Sequence, residues 1–244
     1  MSKSLINKTQ AHYNAAKELL SWNGDHQLLD VAPTIYYKLL YYILADAMKD
    51  ELGEINFNTF LKTHVMKNTI PLLLANESSV WWDNVHSKKM KEPRRIIFNH
   101  AFDQTVNDLV AQLGKDVNKW EWGRVHFLEE VHPIGMKKPF NLLFNVGPSA
   151  VPGGNEVINN IGFDMNEKGI YKSSFGPAMR IVLDFADIEN SKSILPTGES
   201  GNLMSHYYND QAVMYNAGKL RKQKMNKQEI LKNKTGTLIL QPRE

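Results

Sequence analysis

The sequence predicts an α+β fold, helices first and a mainly antiparallel sheet second. Apolar residues recur at helical spacing through the first 115 residues. After Lys115 that spacing gives way to short apolar runs separated by Gly, Pro, Asn and Ser. No internal repeat or long linker divides the 244 residues. One α+β unit over residues 1–244 is therefore expected, mainly helical over 1–115 and mainly strands over 116–244.

The first helix signal is Asp30 with Pro33, a capping carboxylate and a proline where its missing N–H is harmless. Ile35, Leu39, Tyr42, Ile43 and Met48 then form a stripe to residue 52, and Gly53 is a natural stop. A second helix is expected over 56–75, ended or kinked by Pro71. A third over 91–113 carries Ile96, Ile97, Val106 and Leu109, with Gly114 past its end. Strands are expected over 124–132, 139–146, 156–163, 178–185 and 193–196, with a last one over 237–240. Ser205 should cap a short helix to 217, and residues 147–155 read as a wide turn.

Composition narrows the function. With 42% hydrophobic and 23% charged residues the chain is neither disordered nor low-complexity. It has no cysteine, which excludes disulfides, Cys-ligated zinc, iron–sulfur clusters and thiol nucleophiles. The net charge of +3 is uneven: the segment from Lys219 onward is +6 and the remainder −3. That basic segment lacks interleaved aromatics and any nucleic-acid motif, so a solvated surface is expected, with neither nucleic acid nor membrane as partner. No signal peptide is visible, and no apolar run approaches the roughly 20 residues that span a bilayer.

No nucleophile elbow, dinucleotide fingerprint, phosphate loop or helical zinc motif is present. His126, Glu130 and His132 would share one face of a strand, where hydrogen-bonded histidines are a better reading than a metal site. Arg180 and Asp184, four apart in an apolar run, should share a face and pair with each other or with the polar loop that follows. That loop, Leu195-Pro-Thr-Gly198-Glu-Ser200-Gly201-Asn, runs on to His206, Asp210 and Gln211. Ser200 with His206 is not a triad. Gly198 and Gly201 are expected to make a tight turn with positive φ, and Asp210 to receive loop N–H groups near the following helix's start.

Read in order, Trp22-Asn-Gly24, Trp120-Glu-Trp122-Gly123, Pro152-Gly153-Gly154-Asn, Arg180-Ile-Val-Leu-Asp184 and the Gly198 to Gln211 stretch resemble the C-terminal part of the large chain of penicillin acylase family enzymes. The resemblance spans residues 19–218. It implies an N-terminal nucleophile hydrolase, a four-layer αββα sandwich, acyl transfer from an amide to an N-terminal serine followed by hydrolysis, and a link to antibiotic synthesis. It also implies that the nucleophilic serine and its supporting asparagine and arginine lie upstream of this chain. No catalytic residue is therefore assigned here, and the isolated chain is expected to be inactive. Exposure of Ser2 by loss of Met1 is not expected to create a nucleophile. Asp184 and His126 are candidates to support a distant active site. Arg180, Gly198, Ser200, Gly201, Asp210 and Gln211 form a structural motif. No cofactor or metal is expected in this chain; the resemblance allows calcium in a complete member, with no ligand set evident here. The implied partner is the remainder of the acylase polypeptide, or self-association through exposed apolar surface. A complete member is implied to be periplasmic or secreted. The competing reading is a stand-alone, non-catalytic remnant or binding module of the same fold.

Overall fold

The computed structural model describes residues 9–88, 91–232 and 234–242. Ser2 lies outside them. The chain forms two compact units, one from residues up to Glu129 with Gly147–Gly176, the other from Glu130–Val146 with the residues from Pro177 on. The architecture is α+β.

The first unit is built on α2, Ala32–Phe60, with Pro33 in its first turn. Between Ile35 and Met48 this helix is apolar almost all round, and the structure buries it all round. α1 (Gln10–Ser21) and α4 (Arg94–Leu113) pack on it, the latter ending at Gly114 with φ 96°. One core cluster joins Leu44, Ala47 and Phe57 to Trp82, Ile97 and Ala101; a second joins Ala15 and Ile35 to Phe102, Leu109 and Trp120. Gly53 does not stop α2: its φ of 70° bends the helix, which resumes to Phe60. α3 (His64–Ala75) runs through Pro71, because Leu73 beyond it is buried in the first cluster. Asp30 does not cap α2; its carboxylate accepts the Gln27 N–H at 2.6 Å instead. A small sheet completes the unit in the order β2-β1-β3, from β1 (His126–Glu130), β2 (Val146–Ala150) and β3 (Tyr171–Ser173). β1 and β3 run parallel, with His126 opposite Tyr171.

The second unit holds an antiparallel sheet in the order β4-β5-β6: β4 (Arg180–Val182), β5 (Lys192–Ile194) and β6 (Arg221–Lys222). Three short helices accompany it, α5 (Asn141–Phe144), α6 (Ala212–Asn216) and α7 (Lys227–Lys232).

Several strand expectations are corrected. Residues 139–146 contain the helical turn α5, with Phe140 just before it meeting Phe144 edge to face; an apolar run of three residues does not reveal its period. Strand β2 occupies part of the expected turn 147–155. Residues 156–163 form turns with one isolated bridge, Gly154 to Asn160. Residues 237–240 carry no strand. The helix expected over 205–217 is only α6, because the Ser205 hydroxyl accepts the Tyr207 N–H in a local turn. Among the described residues no helix is long and apolar enough to cross a membrane.

Candidate functional site

In the first unit, three motifs far apart in sequence meet at one residue, Gly153. α1 ends at Ser21 and Trp22 turns extended. The Asn23 side chain closes the next turn, its Oδ1 accepting the Asp25 N–H at 2.9 Å, and Gly24 adopts φ 92°. The following segment lies beside the second motif: Trp122 N–H donates to Asp30 O and Gly123 N–H to Leu28 O, both at 2.8 Å. The third motif closes the set. Gly153 N–H donates to His26 O at 2.8 Å, and the Trp122 indole N–H donates to Gly153 O at 2.8 Å.

Beside Gly153 lies an aromatic box. Tyr37 stacks on Trp122 at 5.3 Å, and Phe163 and Tyr171 close the sides. The His26 imidazole spans Gly24 O (Nδ1, 2.8 Å) and Tyr37 Oη (Nε2, 3.2 Å). His126 is fully buried and stacks on Trp122 at 4.6 Å, with Nδ1 2.9 Å from Val151 O and Nε2 3.1 Å from Ile161 O. The Asn155 amide pairs with both backbone groups of Phe163, at 2.9 and 3.0 Å. The box thus ties residues 151–163 to the helices.

Burial holds the His126 imidazole below its ordinary pKa, although the two carbonyls at its nitrogens pull the other way; His26 is lowered by burial too. The unfolded chain therefore takes up protons that the folded state refuses. Stability should be full above the ordinary imidazole value of about 6.5 and fall as pH drops below it, levelling once the folded-state pKa values are passed. Urea midpoints at pH 7.5 and 5.0 test this. His126→Asn should flatten the dependence, and an unchanged slope would place the titration elsewhere.

In the second unit Arg180 engages α6. Its Nη1 donates to Tyr215 O at 2.6 Å and its guanidinium lies 3.9 Å from the Tyr215 ring centroid. The Tyr215 hydroxyl donates to Pro177 O at 2.7 Å. The Asp184 carboxylate closes the turn after β4, accepting the N–H groups of Ala186 and Asp187 at 3.0 and 3.2 Å. The sequence suggested that Arg180 and Asp184 pair with each other or with the polar loop; these are contacts the structure gives them.

The polar loop is closed at both ends by Gln211, whose N–H donates to Thr197 O at 2.9 Å while its Oε1 accepts the Leu195 N–H at 3.0 Å. Ser200 N–H donates to Tyr207 O at 3.1 Å, and its Oγ accepts the Asn202 N–H at 3.1 Å. His206 is exposed with its ring against Tyr207. Asp210 does not receive the expected loop N–H groups. Its Oδ2 faces the Arg221 guanidinium at 3.9 Å, and its Oδ1 is buried without a hydrogen bond among the described residues. Neither Gly198 nor Gly201 has positive φ. Gly198 is required by close approach, since a Cβ there would sit 2.1 Å from Tyr207 O; Gly201 has open space around it.

No group of three or more His, Cys, Asp or Glu side chains among the described residues is arranged to hold a metal ion, which includes the His126, Glu130 and His132 set. Sequence reasoning missed His26, Tyr37 and Asn155. It also missed Lys38, which is 2% exposed on α2 and donates to Glu167 O with its ammonium 3.0 Å from Asp108. Asn155 was inside a recognised motif; the others lay within apolar or polar stretches with no signal of their own.

The family model described as Penicillin amidase matches residues 2–232. The chain belongs to the penicillin amidase family. This is an amide hydrolase family. Among curated relatives, the acyl-homoserine lactone acylase QuiP of Pseudomonas syringae pv. syringae is 26% identical over 209 residues, covering 82% of this chain and 25% of the relative. The QuiP acylase of Pseudomonas syringae pv. tomato is 30% identical over 138 residues, covering 56% of this chain and 16% of the relative. The penicillin amidase family chain described here thus spans about a quarter or less of those relatives' length. Among solved structures, a thermostable penicillin G acylase from Alcaligenes faecalis aligns with a TM-score of 0.47 at 14% identity, covering 99% of this chain and 45% of that one.

Proposed function

We propose that this chain is the C-terminal structural part of an amide hydrolase of the penicillin acylase type. In that enzyme an acyl group passes from an amide to an N-terminal serine hydroxyl and then to water, with the nucleophile on a segment outside these 244 residues. The observation that carries this reading is how the motif side chains are used. Both His126 nitrogens face carbonyls, the Trp122 indole N–H holds Gly153, and Gln211 closes its loop. The Ser200 hydroxyl accepts a backbone N–H in its own turn. Their roles are those of a scaffold.

The proposed partner is the remainder of the acylase polypeptide. β4 is an edge strand whose Ile181 and Val182, with Leu183 just past its end, are all about half exposed, and Phe185 further on is 91% exposed. A continuous apolar run is the pattern of a strand covered on both faces, as in a layer of the αββα sandwich. The relatives, about four times longer than the segment matched here, have chain to supply that cover.

The isolated chain should not hydrolyse chromogenic acyl-amides or acyl-homoserine lactones. Turnover above background that disappears in Ser2→Ala would overturn this reading. If the chain stays monomeric and soluble alone and captures no co-expressed upstream segment of its own gene, the stand-alone module is the better description.

A further inference from the structure

The first unit contains a cavity of about 390 Å³ at the elbow between α2 and α3. It falls within the range of about 300–1,000 Å³ typical of small-molecule pockets. One wall is apolar, with Leu61, Met66, Phe163 and Phe175. Lys62, Lys67 and Lys172 also line it, against the carboxylates of Glu156 and Asp164. Lys67 is engaged by Glu156, which is held at φ 59°, an unusual backbone conformation for a residue with a side chain. The ammonium groups of Lys62 and Lys172, two residues of the lining, make no hydrogen bond or ion pair among the described residues, and Asp164 is the remaining carboxylate of the lining.

The rim is built to keep its shape. The Asn155 amide pins Phe163 through two backbone bonds. Gly162 packs so closely that a Cβ there would lie 3.0 Å from both Asn155 Oδ1 and the Phe175 ring. A pocket with a rigid aromatic wall and unengaged cations selects a ligand by sign and by shape. A small hydrophilic anion would leave the aromatic wall unused, and a cation would meet Lys62 and Lys172. We propose that this cavity binds a small amphipathic carboxylic acid, its carboxylate against Lys62 and Lys172 and its apolar body against Phe163 and Phe175. This site is separate from the amide-hydrolase reading, because occupancy is measured without turnover.

Benzoate, benzylamine and inorganic phosphate are the probes, titrated into the chain and followed by amide chemical shifts. Benzoate should shift resonances of residues 61–67, 160–164 and 172–175 and saturate, while benzylamine and phosphate at tenfold higher concentration should not. The double variant Lys62→Gln/Lys172→Gln should weaken benzoate binding about tenfold or more, as loss of charge-assisted hydrogen bonds requires. The pair Lys219→Gln/Lys224→Gln, which removes the same charge elsewhere, should not. Absence of benzoate binding, equal binding of benzylamine or phosphate, or unchanged affinity in the Lys62/Lys172 variant would each overturn the proposal.

Discussion

Replacing Trp122 by alanine is expected to destabilise the first unit by about 3–5 kcal/mol, the range for deleting a fully buried large aromatic. Its side chain is 0% exposed and touches the rings of Tyr37, His126, Phe163 and Tyr171. The cavity would open inside the aromatic box, where Tyr37 and His126 are held by hydrogen bonds of their own and have little freedom to collapse. Loss of the indole N–H adds a second cost, because Gly153 O is left buried without its donor. Trp122→Phe separates the two contributions: it keeps most of the ring and removes the donor, and should cost about 1–3 kcal/mol. Trp22→Ala is the control, since Trp22 is only partly buried and its indole N–H serves a local turn through Asp25 O at 2.7 Å. Urea unfolding followed by tryptophan fluorescence reads all three. If Trp22→Ala and Trp122→Ala cost the same, the box is not the organising element of this unit.

The parts of the fold that were legible in the sequence are those set by neighbours along the chain. Pro33 at the start of α2 and Gly114 at the end of α4 sit where capping and φ preferences put them. The apolar stripes found α2 and α4 for the same reason, whereas the helix expected over 56–75 is divided between the end of α2 and α3, and α1 was not anticipated. The parts that were misread depend on partners far away. Residues 156–163 are apolar enough for a strand, yet their backbone is claimed by the Asn155 side chain at Phe163 and by His126 at Ile161. Asp30 looks like a helix cap but turns back to Gln27. The site shows the same division. Trp122 and Gly153 could be named as motif residues, but nothing local reveals that they meet, or that His26 and Tyr37 complete the set. Gly198 was correctly singled out for the wrong reason: a loop rich in glycine suggests positive φ, whereas the constraint is the carbonyl of Tyr207, nine residues on.

Gly153→Ala should be as damaging as a core deletion although it adds a single methyl group. Gly153 has φ 92°, a region that costs an L-residue roughly 1–2 kcal/mol. The new Cβ would also lie 2.2 Å from Asn159 O and 2.7 Å from Asn159 Nδ2, distances at which something must move. Movement is costly here, because Asn159 O accepts the N–H groups of Gly154 and Ile161, and Asn159 Nδ2 donates to Pro152 O. Overpacking of this kind typically adds about 1–3 kcal/mol, so the combined cost should be about 2–5 kcal/mol. Two neighbouring substitutions isolate the causes. Gly24→Ala shares the positive φ of 92° but meets open space, so it should show the backbone cost alone. Gly154→Ala has no positive φ and would place its Cβ 3.2 Å from His26 Cδ2 and Tyr37 Oη, a contact that small side-chain shifts relieve; about 1 kcal/mol is expected. Hydrogen exchange at the Gly153 and Ile161 amides adds a local readout. Both should lose protection in Gly153→Ala and keep it in Gly24→Ala. If Gly153→Ala proves no more destabilising than Gly24→Ala, the loop yields freely and residues 152–161 are not the rigid edge on which the aromatic box depends.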